Sequence, residues 1–245
     1  MTVTASLPDF AAIRAAHERI RPFIHRTPVH TSRCVDEICD AEVVFKCENL
    51  QRVGAFKYRG ATNAVQSLDE ATAARGVATH SSGNHAQALA LAAQLRGVPA
   101  HIVMPRTAPA IKRAAVEGYG ARIVECEPTL AAREDTCRRV LAETGAAMIH
   151  PYDHPPTIAG QGTAALELLS EVPDLDAVVA PVGGGGLMSG TCLAARGLRP
   201  DVRLFGAEPA GADDAKRSLD AGERIPQTAP DTIADGLLTS LGELT

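Results

Sequence analysis

No apolar run in this 245-residue chain approaches the roughly 20 residues that a helix needs to cross a bilayer. The stretch Met1–Phe10 lacks the basic segment and following apolar segment of a secretory signal. These two absences exclude the membrane as a partner and lead to the expectation of a cytoplasmic protein. No basic block or stripe stands out. Lys and Arg number 24 against 29 Asp and Glu, a net charge of −5, which argues against nucleic acid as a partner. None of Cys34, Cys39, Cys47, Cys126, Cys137 and Cys192 forms a CxxC pair, and no Cys/His group has zinc spacing. In a reducing compartment they read as free thiols packed as small hydrophobes. Internal repeats, low-complexity tracts and obvious linkers are also missing, so composition reveals no domain boundary.

What is present is an ordinary globular composition, 45% hydrophobic and 22% charged, enough to bury a sizeable core. Short continuous apolar runs at Glu42–Cys47, Gly76–Thr79, Ala100–Met104, Arg122–Glu125, Ala146–His150, Asp176–Val182 and Val202–Ala207 predict strands covered on both faces. Helical patterns fall between them: Phe10, Ile13 and Ile20 on one face, then Asn84–Leu95, Ala110–Gly118, Leu130–Thr144, Gly160–Leu169 and Leu187–Leu198. Gly97 with Pro99, and Gly118 with Gly120, punctuate helix ends. Alternating strands and helices predict an α/β fold with mainly parallel sheets.

The run Gly183-Gly184-Gly185-Gly186 follows the strand DAVVAPV and precedes the helical LMSGTCLAARGL. Glycine lets backbone approach a ligand and aim several N–H groups at one spot. A helix N-terminus adds a positive dipole end. Together they predict an anion site, most simply for phosphate. The pattern G-x-G-x-x-G fails in every register, because Leu187, Met188 or Ser189 occupies a required glycine, and no Lys-Ser/Thr closes a P-loop. The bland alternative is a tight turn that needs glycine only for sterics. Lys57 lies in Gly54-Ala55-Phe56-Lys57-Tyr58-Arg59-Gly60-Ala61. Flanked by Phe and small residues, its amine can be partly desolvated, which lowers its pKa and makes it a nucleophile toward carbonyls. Alone, this would be outweighed by the ordinary surface lysine.

These two segments stand in order with His80-Ser81-Ser82-Gly83-Asn84-His85-Ala86-Gln87-Ala88, Asn49-Leu50-Gln51, Ala159-Gly160-Gln161-Gly162-Thr163 and Thr232-Ile233-Ala234-Asp235-Gly236. In that order and spacing the chain resembles the serine racemases and serine/threonine dehydratases, fold-type II pyridoxal-phosphate enzymes, from about residue 8 to its last residue.

The resemblance implies a two-domain, tryptophan-synthase-β-like fold. Residues 1–51 and 153–245 would form the larger domain, residues 52–152 the smaller, with the site in the cleft. It implies that pyridoxal 5'-phosphate is held covalently by Lys57, with Phe56 beside its ring and Asn84 on its ring oxygen. Gly183, Gly184, Gly185, Gly186, Leu187 and Gly236 would surround its phosphate. A small amino-acid substrate would be met by Ser81, Ser82, Asn84, His85 and Arg133. Lys57 would act as base at Cα. Ser82 would serve the opposite face, as in racemases, where the threonine dehydratases typically have alanine. Simple helix capping remains open for Ser81 and Asn84, a bystander role for Ser82, and a charged helix face for Arg133. Glu208, Ala212 and Asp214 would hold Mg²⁺ or Ca²⁺, unless these acids merely face solvent or cap the next helix. The segments Pro151-Tyr152-Asp153-His154-Pro155 and Gln51-Arg52-Val53 look closer to the 3-hydroxyaspartate ammonia-lyases.

The implied activity is β-elimination on serine, threonine or 3-hydroxyaspartate, with racemisation beside it, in a homodimer. The family pattern continues past Leu241-Gly242-Glu243-Leu244-Thr245 with further sheet and helices and a serine facing the pyridine nitrogen. No residue here takes that role. The expectation is a fold truncated at its C-terminus with apolar surface exposed. The reading from another class is an inactive fragment that binds phosphate or a partner chain.

Overall fold

The computed structural model describes residues 6–245, so the stretch Met1–Phe10 falls partly outside the described residues. Helix α1 (Phe10–Ile20) is opened by Asp9, whose carboxylate accepts from the Ala12 N–H at 2.8 Å, and it buries Ile13, Ala16 and Ile20. Strand β1 (Val29–Thr31), helix α2 (Arg33–Cys39) and strand β2 (Val44–Lys46) follow, with β1 and β2 antiparallel. Helices α3 (Lys57–Gln66) and α4 (Glu70–Ala74) lead into a four-stranded parallel sheet. Its strands β3 (Val77–His80), β4 (Ala100–Pro105), β5 (Arg122–Cys126) and β6 (Ala147–Met148) lie in the order β5-β4-β3-β6.

Helices α5 (Asn84–Arg96), α6 (Ala110–Gly118) and α7 (Leu130–Thr144) connect these strands. Alternate strand residues divide between two cores. Val77, Ile102 and Met104 pack with Leu89 of α5 and Val116 of α6, while Ala78 and Val103 pack with Cys137 and Val140 of α7. Covering on both faces explains why these strands read as unbroken apolar runs.

Helix α8 (Pro155–Glu171), strand β7 (Ala177–Pro181), helix α9 (Gly186–Leu198), strand β8 (Arg203–Ala207) and helix α10 (Asp214–Ala221) complete the described chain. β7 and β8 form a separate parallel pair. One face of the pair packs Val178 against Leu169 of α8 and Ala195 of α9. The other carries Val179, 66% exposed, and Phe205, 47% exposed, the bare apolar surface that the sequence led us to expect. Helix α8 is the hub: α1, α3 and α9 all pack on it.

The parallel α/β reading holds, with β1–β2 the antiparallel exception. Helices α2, α3, α4 and α10 were not foreseen, and α8 begins at Pro155 rather than Gly160. Among the described residues all six cysteines are free. No described helix is long and apolar enough to cross a membrane.

Candidate active site

Lys57 owes its position to a strained turn. Val53 and Gly54 are both left-handed, at φ 55° and 69°, before Ala55 extends and α3 begins at Lys57 itself. The Lys57 Nζ donates to the Pro151 carbonyl at 2.8 Å. It lies 5.3 Å from the centre of the Phe56 ring and 5.7 Å from that of Tyr152. Burial disfavours the ammonium and lowers its pKa to about 8. An amine so placed is neutral far more often at physiological pH than a surface lysine.

The glycine run forms the turn between β7 and α9. Gly183, Gly184, Gly185 and Gly186 are buried, yet the N–H groups from Gly183 to Leu187 donate to no acceptor among the described residues. Buried unpaired donors at a helix start make a site for an anion. The turn needs glycine twice over. Gly185 has φ 88°, and a Cβ on Gly184 would overlap the Tyr152 ring. Gly236 is brought against Gly183, its carbonyl 3.2 Å from where a Cβ would stand. Thr245 Oγ1 donates to the Gly184 carbonyl at 2.8 Å, and the Asp153 carboxylate accepts from the Glu243 and Leu244 N–H groups at 3.0 and 2.7 Å. One aromatic ring, that of Tyr152, therefore spans the space between the amine and the glycine turn.

The third part comes from the ends of β3 and β6, which are paired through Val77↔Ala147 and Ala78↔Met148. Pairing delivers His80-Ser81 and Ile149-His150-Pro151 side by side. The His80 and His150 rings meet edge-on at 5.9 Å, and those of His150 and Tyr152 at 4.6 Å. His85 is buried, with Nε2 3.0 Å from the Ile149 carbonyl and Nδ1 without a partner among the described residues. Burial, then the Lys57 charge, pushes its pKa down to about 3. Burial likewise holds His150 and His154 at about 4.

Ser81 Oγ accepts from the Gly83 N–H at 3.3 Å, Asn84 opens α5, and half-buried Ser82 makes no hydrogen bond with a described residue. Arg133, on α7, borders His80: burial lowers the His80 pKa, Glu134 opposes this, and Arg133 adds to it. Its Nε is buried without a partner. Phe56, Lys57, His85 and Gly183–Gly186 thus gather around Tyr152 and the β3 and β6 ends.

The expected metal ligands Glu208, Ala212 and Asp214 come together at the start of α10. Glu208 accepts from the Ala215 and Lys216 N–H groups at 3.1 and 2.8 Å, capping that helix. Buried Asp214 accepts from Leu241 N–H at 2.9 Å and from Gln227 at 3.4 Å. Ala212 is buried beside them. A carboxylate oxygen that accepts one N–H keeps a further lone pair, so these contacts leave both acids able to meet a cation as well. Among the described residues no group of three or more His, Cys, Asp or Glu is arranged to hold a metal.

The sequence reading missed Tyr152 as the spanning ring, Asp153 as the tie to residues 243–244, and the ring of histidines. The available signal was the density of polar and aromatic residues in His150-Pro151-Tyr152-Asp153-His154, between a strand and a proline-opened helix. Their convergence depends on β6 pairing with β3. The assembled parts, a neutralisable amine and buried N–H donors with the Tyr152 ring between them, suit the two ends of an aromatic aldehyde bearing a phosphate, whose ring would take the place that Tyr152 holds.

Residues 20–245 match the family model described as "Pyridoxal-phosphate dependent enzyme". The chain is 57% identical over 239 residues to the β-hydroxyaspartate dehydratase of Paracoccus denitrificans, covering 98% of this chain and 76% of that protein. It is 51% identical over 244 residues to the serine racemase of Dictyostelium discoideum, covering 99% and 74%. The structure of maize serine racemase superposes with a TM-score of 0.96 at 50% identity, over 97% of this chain and 72% of that one.

Proposed function

The chain belongs to the pyridoxal-phosphate-dependent enzymes, and on that premise we propose that it deaminates a small β-hydroxy amino acid by β-elimination, with racemisation as a second activity. Water leaves the substrate, and the released enamine hydrolyses to a 2-keto acid and ammonia. Bound in this site, pyridoxal phosphate supplies the electron sink that makes the substrate Cα–H acidic. Lys57 holds the cofactor through its amine, Phe56 flanks its ring, and Asn84 reaches its ring oxygen. The N–H groups of Gly183–Leu187, with Gly236 alongside, take its phosphate. The Lys57 amine would also serve as the base for the Cα proton, a task suited to a group with a pKa of about 8. The Ser81–His85 turn receives the substrate carboxylate at the start of α5, and Ser82 delivers a proton to the opposite face.

The observation that carries this reading is the Tyr152 ring, 5.7 Å from the Lys57 amine and in contact with Gly184. Two observations favour a substrate with a second carboxylate, such as 3-hydroxyaspartate: the unpaired Arg133 Nε beside His80, and the name of the Paracoccus relative. Arginine grips such a group with paired hydrogen bonds. We infer two lobes, residues 52–152 and the remainder, with the cleft between them, and a cytoplasmic homodimer whose six thiols stay reduced.

The test is spectroscopic and kinetic. Added pyridoxal phosphate is expected to give a visible absorption band that Lys57→Ala abolishes together with all turnover. No band with the unaltered protein would leave an inactive binding fragment. L-serine, D-serine, L-threonine and both 3-hydroxyaspartate diastereomers then rank the substrates. Ser82→Ala is expected to lose turnover of D-substrates and largely keep elimination from L-substrates; equal loss of both would remove the racemase-like role of Ser82.

A further inference from the structure

The Lys57 amine and the glycine turn stand at the starts of α3 and α9, and both helices pack on α8 through glycine contacts two residues apart. A Cβ on Gly160 would come within 2.6 Å of the Arg59 carbonyl and the Gly60 Cα. A Cβ on Gly162 would come within 2.8 Å of the Gly190 carbonyl. Backbone therefore meets backbone at both crossings. Gln161 lies between them, 1% exposed.

The first turn of α3 is tightened: Tyr58 N–H donates to the Ala55 carbonyl at 3.2 Å and Arg59 N–H to the Phe56 carbonyl at 3.0 Å, each three residues back. Phe56 supplies no side-chain cap to this turn, whose next donor is the Gly60 N–H. Gln161 Oε1 accepts it, at 3.2 Å from across the helix contact. The buried Gln161 Nε2 has no partner among the described residues. A Leu or Met would fill this space at no desolvation cost, so the amide is retained for its one bond.

We propose that Gln161 is a positioning residue for Lys57, fixing the first turn of α3 on α8 while Gly160 and Gly162 set the distance from that turn to the glycine run. This rests on the cofactor reading above and absorbs the Ala159-Gly160-Gln161-Gly162-Thr163 motif, which that reading leaves without a role.

The test compares Gln161→Met, which keeps the volume and loses the acceptor, with Thr163→Val, which alters the same seam without touching the Gly60 N–H. One readout is the dissociation constant for pyridoxal phosphate from the visible band. The other is the pH dependence of Lys57 acylation in cofactor-free protein, followed by mass spectrometry. In the unaltered protein its midpoint is expected near pH 8. Gln161→Met is expected to weaken cofactor binding about tenfold, the equivalent of one lost hydrogen bond, and to move the acylation midpoint upward. Thr163→Val is expected to lower the melting temperature and leave both readouts in place.

If Gln161→Met lowers only the melting temperature, Gln161 is a packing residue and the proposal is overturned. Should that variant not fold, Gln161→Glu, which keeps an acceptor at a helix start where negative charge is favourable, takes its place. Cofactor binding within about threefold of the unaltered protein supports the proposal; a tenfold loss overturns it. The acylation profile needs no cofactor, so it judges this inference even if the unaltered protein gives no visible band.

Discussion

At Gly184 a single added methyl group decides whether the Tyr152 ring keeps its place. Gly184→Ala forces that ring away from the turn or the turn away from the ring, and such overpacking costs about 1–3 kcal/mol. The expected outcome is pyridoxal phosphate affinity lower by roughly one to two orders of magnitude, checked by titrating the visible band. The amine and the glycine run were both legible in the sequence, because each is a local pattern of few residues. Tyr152 was not. Its neighbours in sequence say only that a turn follows a strand, and its contact with Gly184 is made across the molecule. Glu208 and Asp214 show the opposite difficulty: two acids near a helix start suit a metal or a cap equally well in sequence, and the Ala215, Lys216 and Leu241 N–H groups establish the capping contacts alone.

Helix α3 carries Lys57 at one end and a buried ion network along its flank. Fully buried Arg59 donates to both oxygens of Glu167 at 2.9 Å and to Glu48 at 2.7 Å, and Lys46 reaches Glu167 at 2.8 Å. Two cations against two carboxylates leave the group neutral. Arg59→Met strands a carboxylate charge in the interior, at an expected cost of about 3–5 kcal/mol, read as a lower denaturant midpoint. The double variant Arg59→Met, Glu167→Gln restores the charge balance and is expected to lose less than the sum of the two single changes. Helix α3 escaped the sequence reading because Gly60 and Thr62 weaken its local propensity; tertiary ties to α8 make up the deficit. Helix α8 begins at Pro155, ahead of the expected Gly160, with Pro155 and Pro156 in the first helical turn, where proline is well suited. Its glycines, poor helix formers in isolation, are where α3 and α9 make contact.

Across the whole molecule the buried histidines set the response to acid. His85, His150 and His154 have folded pKa values of about 3, 4 and 4, below the ordinary 6.5. Between pH 6.5 and 4 the unfolded chain therefore binds more protons than the native one, and stability falls as pH is lowered through that window. Each such group contributes about 1.4 kcal/mol per pH unit there. Glu167, whose pKa is depressed because its bonds to Arg59 and Lys46 outweigh its burial, adds loss in the same direction at lower pH. Urea midpoints measured from pH 7 to 4.5 are expected to drop steadily; a flat profile would mean that these imidazoles are solvated. At the alkaline end Lys57 acts with the same sign between pH 8 and 10.5, while Cys137, pushed up to about 11 by burial, acts with the opposite sign above pH 9. The parallel α/β architecture was readable from alternating apolar runs. The division into three separate sheets was not, since strand pairing is a long-range property. Finally, the chain has no tryptophan and only three tyrosines, so its ultraviolet emission is tyrosine emission. One of those fluorophores is Tyr152, between the amine and the glycine turn. Anything that enters there quenches or shifts that light, giving this protein a built-in optical gauge of occupancy that requires neither dye nor turnover.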